Sequence, residues 1–244
     1  MARKKVKEKK KKGVVKLTES DKISSEEDKQ LKNEDRQLLW FFIIIGIIFA
    51  TVLVSYFGAE SLKSFEYAGV DWMIEDYENL RIYHGMFIAL NNANLNYNIF
   101  LRGDPRENDV PTEGTFDKFK YGGIISITPE VDRCRGELSR VMLDLGAFLK
   151  QGVGVGPLTS GSTDESVANE SGRRFAQCGN VHDRALVIIE LGASSVTQDR
   201  SNPYCYIIRA SDCNDVSSVE RFMVKTIEDF TFAKKALEES GKLA

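Results

Sequence analysis

"GIISITPEVDRCRGELSRVMLDLGAFLKQG", residues 123–152, decides the fold. It opens on a short apolar run ending at Pro129, which reads as a strand. Past Cys134 the rhythm changes. Leu138, Val141, Met142, Leu145, Phe148 and Leu149 recur at steps of three and four, one face of an amphipathic helix. Gly152 follows as its expected stop.

Downstream, "VGVGPLT" (153–159) reads as a second strand. Ser162 and Glu165 have capping-box spacing at the start of a weaker helix to about residue 177. "ALVIIELG" (185–192) and "YCYIIRAS" (204–211) are buried strands by their apolar runs, with "SNP" (201–203) in the turn before the second. Ser217 and Glu220 again have capping-box spacing. They open a closing helix with Val219, Phe222, Met223, Ile227, Phe230 and Ala233 on its buried stripe.

Upstream, alternating aromatic and β-branched residues predict strands near 65–69, 80–90 and 95–102, an antiparallel meander. The Pro- and Gly-containing "VPTEGTFDKFKYGG" (110–123) separates it from the rest. The expected fold is an α/β (or α+β) sandwich with a mixed sheet and an N-terminal antiparallel meander that packs on, or extends, that sheet.

Farther upstream lies "LLWFFIIIGIIFATVLVSYF", Leu38 to Phe57, without a charge. Twenty helical residues span about 30 Å, the thickness of a bilayer's hydrocarbon core. Trp40 and Tyr56 fall near its ends, at headgroup level. The run is longer than a signal peptide's apolar core and begins 37 residues in. It therefore reads as an uncleaved transmembrane helix. The domain plan is a disordered basic cytoplasmic tail (1–37), a transmembrane helix (38–57) and an extracytoplasmic globular domain (58–244).

Orientation follows the charge. Of the 33 Lys and Arg, 13 lie in the first 37 residues beside 8 acidic groups, which leaves the remainder at −8. A basic tail stays inside and an acidic body goes outside. The tail sets topology, and anionic lipid headgroups would attract it by about 1 kcal/mol per Lys. The acidic body is a poor match for nucleic acid, whose phosphates need a basic face.

Cys134, Cys178, Cys205 and Cys213 all fall in the outer body, where an even count reads as two disulfides. Zinc is the rival, but no pair has close C-x2-4-C spacing and the two histidines stand apart. Chain direction bears on the pairing. If the strand at 123–129 runs upward, Cys134 lies at the top and Cys178 at the bottom. A rising 185–192 and a returning 204–211 would put Cys205 at the top and Cys213 at the bottom. That favours Cys134–Cys205 and Cys178–Cys213.

No catalytic constellation emerges. His182 precedes Asp183 and His84 lies in "RIYHGMF", but adjacency is not triad geometry. The Gly-rich "GVGVGPLTSG" (152–161) lacks a P-loop lysine and reads as a surface loop. Asn169-Glu170-Ser171 is a glycosylation sequon. Arg102-Gly103-Asp104-Pro105-Arg106 contains an RGD tripeptide. It reads first as a turn, second as an internal ion pair, and third as a partner contact. No cofactor or metal is expected.

"FEYAGVDW" after an anchor, "YNIFLRGDPREN", "CGN", "ALVIIELG", "CYIIRASDC" and "VERF" together resemble uncharacterised single-pass membrane-anchored surface proteins of small-genomed, DPANN-type archaea. Leu-Arg-x-Asp-Pro-Arg and the order of the four cysteines carry that resemblance, over about residues 65 to 224. Within the group the position of Gly103 varies, which points to Arg102, Asp104 and Arg106 rather than to RGD. The resemblance implies an archaeal cell surface and no chemistry.

Three functions remain in play. The first is a non-catalytic extracytoplasmic module that binds another envelope or surface protein. The second is a subunit of a membrane assembly packing through the Gly46 and Ala50 small-xxx-small pair. The third is a hydrolase using His182 or His84.

Overall fold

The computed structural model describes residues 38–55, 63–78, 80–90 and 94–240. The tail (1–37), the Tyr56–Phe57 end of the apolar run and part of the Asn cluster (91–93) lie outside the described residues. The chain divides into two compact units between residues 60 and 61.

In the first unit, helix α1 (Leu38–Ser55) covers about 27 Å at 1.5 Å per residue. Its mean hydropathy is 2.8 and none of it is buried. It is long and apolar enough to cross a membrane.

The second unit begins with a four-stranded antiparallel meander: β1 (Ser64–Tyr67), β2 (Val70–Tyr77), β3 (Leu80–Ile88) and β4 (Asn96–Leu101). The sequence pattern suggested three strands. β2 is the strand it missed, because the turn from β1 into β2 is Ala68-Gly69, with φ of 55° and 73°, rather than the familiar Asn-Gly. Gly69 is required twice over, since a Cβ there would also stand 2.7 Å from Thr231 Cγ2.

The second sheet has seven strands: β5 (Thr112–Glu113), β6 (Gly123–Ile127), β7 (Leu158–Ser162), β8 (Arg174–Phe175), β9 (Ala185–Leu191), β10 (Ser195–Gln198) and β11 (Cys205–Ala210). Their order is β5-β10-β11-β9-β6-β7-β8. β6, β7, β8, β9 and β11 form a parallel block, and β10 runs antiparallel to β11. The meander is thus a separate sheet and does not extend this one.

Helices α2 (Pro129–Asp132), α3 (Glu137–Ala147), α4 (Glu165–Ser171) and α5 (Ser217–Glu239) complete the unit. α3 runs into a π-helical turn, Phe148–Val153, that stops at Gly154 in the left-handed region rather than at Gly152. Gly152 instead leaves room for rings. A Cβ there would sit 3.1 Å from Phe148 and 3.2 Å from Tyr97.

α3 and α5 join the sheets. Leu138, Val141 and Leu145 of α3 share one core with Val187 and Tyr206 of the large sheet and with Trp72 and Leu101 of the meander. Phe148 meets Phe87 and Tyr97 of the meander edge to face or tilted. In α5, residues 218–220, 222–224 and 226–227 are all buried, the pattern of a helix covered on more than one side. Phe116, from the Pro/Gly-rich connection, stacks on Tyr206 and meets Phe222, so this loop feeds the core. A smaller cluster on the opposite face joins Ile124, Ala176, Val181, Leu186, Ile188 and Cys205.

Two expected caps are rearranged. α4 is capped by Asp164, whose Oδ1 accepts from Val167 N at 3.0 Å, and ends at left-handed Gly172, short of residue 177. At α5, Asp215 rather than the Ser217–Glu220 pair takes the free backbone donor: Ser217 N donates to its Oδ1 at 3.0 Å. Burial works against the Asp215 charge. Hydrogen bonds from Ser194, Ser217 and Ser211 outweigh that cost and hold its carboxyl far below the usual range.

Candidate functional site

All four cysteines form disulfides, but the pairs are Cys134–Cys213 and Cys178–Cys205, with Cα atoms 5.2 Å and 5.5 Å apart. This corrects the pairing expected from chain direction. The cause is β10. After β9 rises, β10 descends, so β11 rises again beside β9 instead of returning. Cys205 then opens β11 at its lower end, and Cys213 follows its upper end, level with Cys134 beyond β6. Inserting one short strand exchanges the last two cysteines.

The Arg102–Arg106 stretch leaves β4 as a turn, closed by Glu107 N donating to Asp104 O at 3.1 Å. Its charged groups pair with one another and with neighbouring elements. Asp104, its side chain 8% exposed, accepts from Arg106 N at 2.9 Å, Nε at 3.0 Å and Nη2 at 2.6 Å. The Arg106 side-chain bonds hold the Asp104 carboxyl below its ordinary range, against burial. Arg106 in turn lies 3.7 Å over the Phe65 ring, and Arg102 Nη2 approaches Glu137 Oε2 at 3.6 Å.

Glu220, 2% exposed, clamps this turn from α5. Its carboxylate accepts from Arg102 N at 2.6 Å and Gly103 N at 3.1 Å. Burial pushes its pKa up to about 6, overriding those two donors and the nearby Arg140 and Arg102. Sequence reasoning assigned Glu220 to a cap and missed the clamp, which joins residues more than a hundred apart. A Cβ at position 103 would stand 3.3 Å from Glu220 Oε2, tight contact with the end of a side chain.

The histidines sit apart. His84 Nδ1 lies 2.8 Å from Glu75 Oε1 and Nε2 lies 3.1 Å from Asn98 Oδ1, with the ring stacked on Phe100. His182 Nε2 lies 3.2 Å from Gly179 O, and its backbone O accepts from Lys120. These contacts place neither ring against a serine or cysteine. Among the described residues no three His, Cys, Asp or Glu side chains cluster as a metal site. Asn169 is exposed on α4, while Ser171 Oγ donates to Val167 O at 2.6 Å.

A feature the sequence reading did not reach is an apolar surface. The outer face of the meander exposes Met73, Met86, Ile88 and Phe100, each more than half accessible. Antiparallel sheets with one solvated face usually turn polar side chains outward. Beside it, the last turns of α5 overhang the meander and leave a groove of about 880 Å³, within the range of ligand sites. Met86, Ile88, Ile227, Phe230, Ala233 and Leu237 give it an apolar lining. The available signal was "GMFIAL" (85–90), apolar on both alternations where one wet face predicts polar residues at every second place.

No protein-family model, no curated protein and no solved structure matches the chain.

Proposed function

We propose that the chain is a single-pass membrane protein whose disulfide-bonded body lies outside the cytoplasm and acts as a non-catalytic binding module at an archaeal cell surface. The partner class is another envelope or surface protein, or a ligand held there. One observation carries the placement: all four cysteines are paired within the body, which suits an oxidising compartment, while α1 upstream is charge-free and of bilayer length. The Lys-rich tail would then face the inner leaflet. The exposed apolar side chains of the meander and the apolar groove beside them support binding, since clustered apolar surface on a folded body marks an interaction site.

Intact cells treated with a membrane-impermeant maleimide before and after reduction, read by mass, test the placement. Blocked cysteines that label only after reduction support it. Labelling that needs an opened membrane and no reductant inverts the topology and sinks the reading.

A further inference from the structure

We infer that the groove between α5 and the meander binds an aliphatic amphiphile with a cationic, hydrogen-bond-donating head, its chain on the apolar lining and its head at Asp117. The inference names the ligand class of the module proposed above and rests on that reading. Asp117 lines the groove. One of its carboxylate oxygens is buried with no hydrogen-bond partner among the described residues. A carboxylate oxygen removed from water and left unpaired is costly, and a cation or donor arriving nearby relieves that cost.

The other charges of the groove agree. Among the described residues that line it, Asp71 and Asp117 stand against Lys234, a balance of −1. Lys234 approaches Glu238 at 4.0 Å, one turn farther along α5. An anionic head would meet two carboxylates. A cationic head would meet a site already short of positive charge. The alkyl chain would displace water from a wall built by Ile227, Phe230 and Leu237 on one side and Met86 and Ile88 on the other.

The test uses the full chain, disulfides intact, in phosphatidylcholine nanodiscs. The probes are dodecylamine and dodecanoic acid, each with a photoreactive diazirine near the tail end, and crosslinks are mapped by mass spectrometry. The amine is expected to label residues 86–90 and 227–237 saturably, and the acid to need at least about tenfold more probe, the scale of one charge-assisted bond. Asp117→Asn should move the amine's half-saturation up by roughly tenfold. Ala233→Trp, which fills the groove, should abolish labelling there by both probes.

Equal labelling by amine and acid, a comparison that needs no variant, overturns the proposal. So does an Asp117→Asn curve that superimposes on the parent. Labelling of α1 from the lipid is the internal reference. Its absence counts against the membrane reading instead, and the groove comparison still stands.

Discussion

Replacing Glu220 by Gln should change how stability depends on pH, in a direction fixed by burial. In the folded chain the Glu220 carboxyl titrates at about 6, against an ordinary value of 4.5. The native state therefore holds this proton more tightly than the unfolded state. The associated stability is complete below pH 4.5 and lost as pH rises through 6. The two values lie about 1.5 apart and each unit is worth about 1.4 kcal/mol, so the loss approaches 2 kcal/mol. Glutamine has no proton to release, and the variant lacks this component. The stability of the parent minus that of Glu220→Gln should fall by about 2 kcal/mol between pH 4 and pH 7.5. Taking the difference cancels Asp215, whose depressed carboxyl acts oppositely, giving stability above its ordinary value of 3.8 that is lost in stronger acid. The assay is urea unfolding in micelles at several pH values, followed through buried Trp72 with Trp40 replaced by Phe. A difference that is flat with pH, or that grows as pH rises, would refute the claim that desolvation dominates at Glu220.

Removing the Cys134–Cys213 bridge, which spans 79 residues, should cost about 4.5 kcal/mol by loop entropy; removing Cys178–Cys205, spanning 27, should cost about 3.5. Serine pairs compared by denaturant midpoint check that order. Gly85→Ala should destabilise by roughly 1–3 kcal/mol, because its Cβ would lie 2.9 Å from Val70 and 3.0 Å from Trp72 in the core. A thermal midpoint unchanged within error would contradict that packing. Asp104→Asn should lower the melting temperature at pH 7, and by less as the pH is taken progressively below 3.8. A carboxyl depressed by Arg106 contributes stability above pH 3.8 that is lost in acid. Scanning calorimetry of parent and variant from pH 7 into acid decides it, and a difference that does not shrink in acid would contradict the pairing.

Much of this fold was legible because its main elements carry strong periods. "ALVIIELG" is too apolar for a surface loop, and α3 repeats at three and four. What escaped was short or locally disguised. β10, Ser195–Gln198, has four residues and one buried side chain, Val196, so no alternation stands out. Missing it reversed β11 and exchanged two cysteines. β2 hid behind an Ala-Gly turn. Glu220 occupied a capping-box position while its carboxylate answered to Arg102 and Gly103, a partnership visible only after folding. The groove escaped because it is a property of two surfaces, and neither α5 nor β3 shows it alone.

The two disulfides are nested: Cys178–Cys205 lies wholly inside the loop closed by Cys134–Cys213. A protein held at one end and loaded at the other would feel this as a mechanical fuse. Tension entering near residue 63 and leaving through α5 would pass straight from Cys134 to Cys213, so the 78 residues between them carry no load. The meander and β6 would peel and α5 would unravel, yet β7 to β11 would stay off the force path. Stretching would come to a fixed limit that only a reductant could extend.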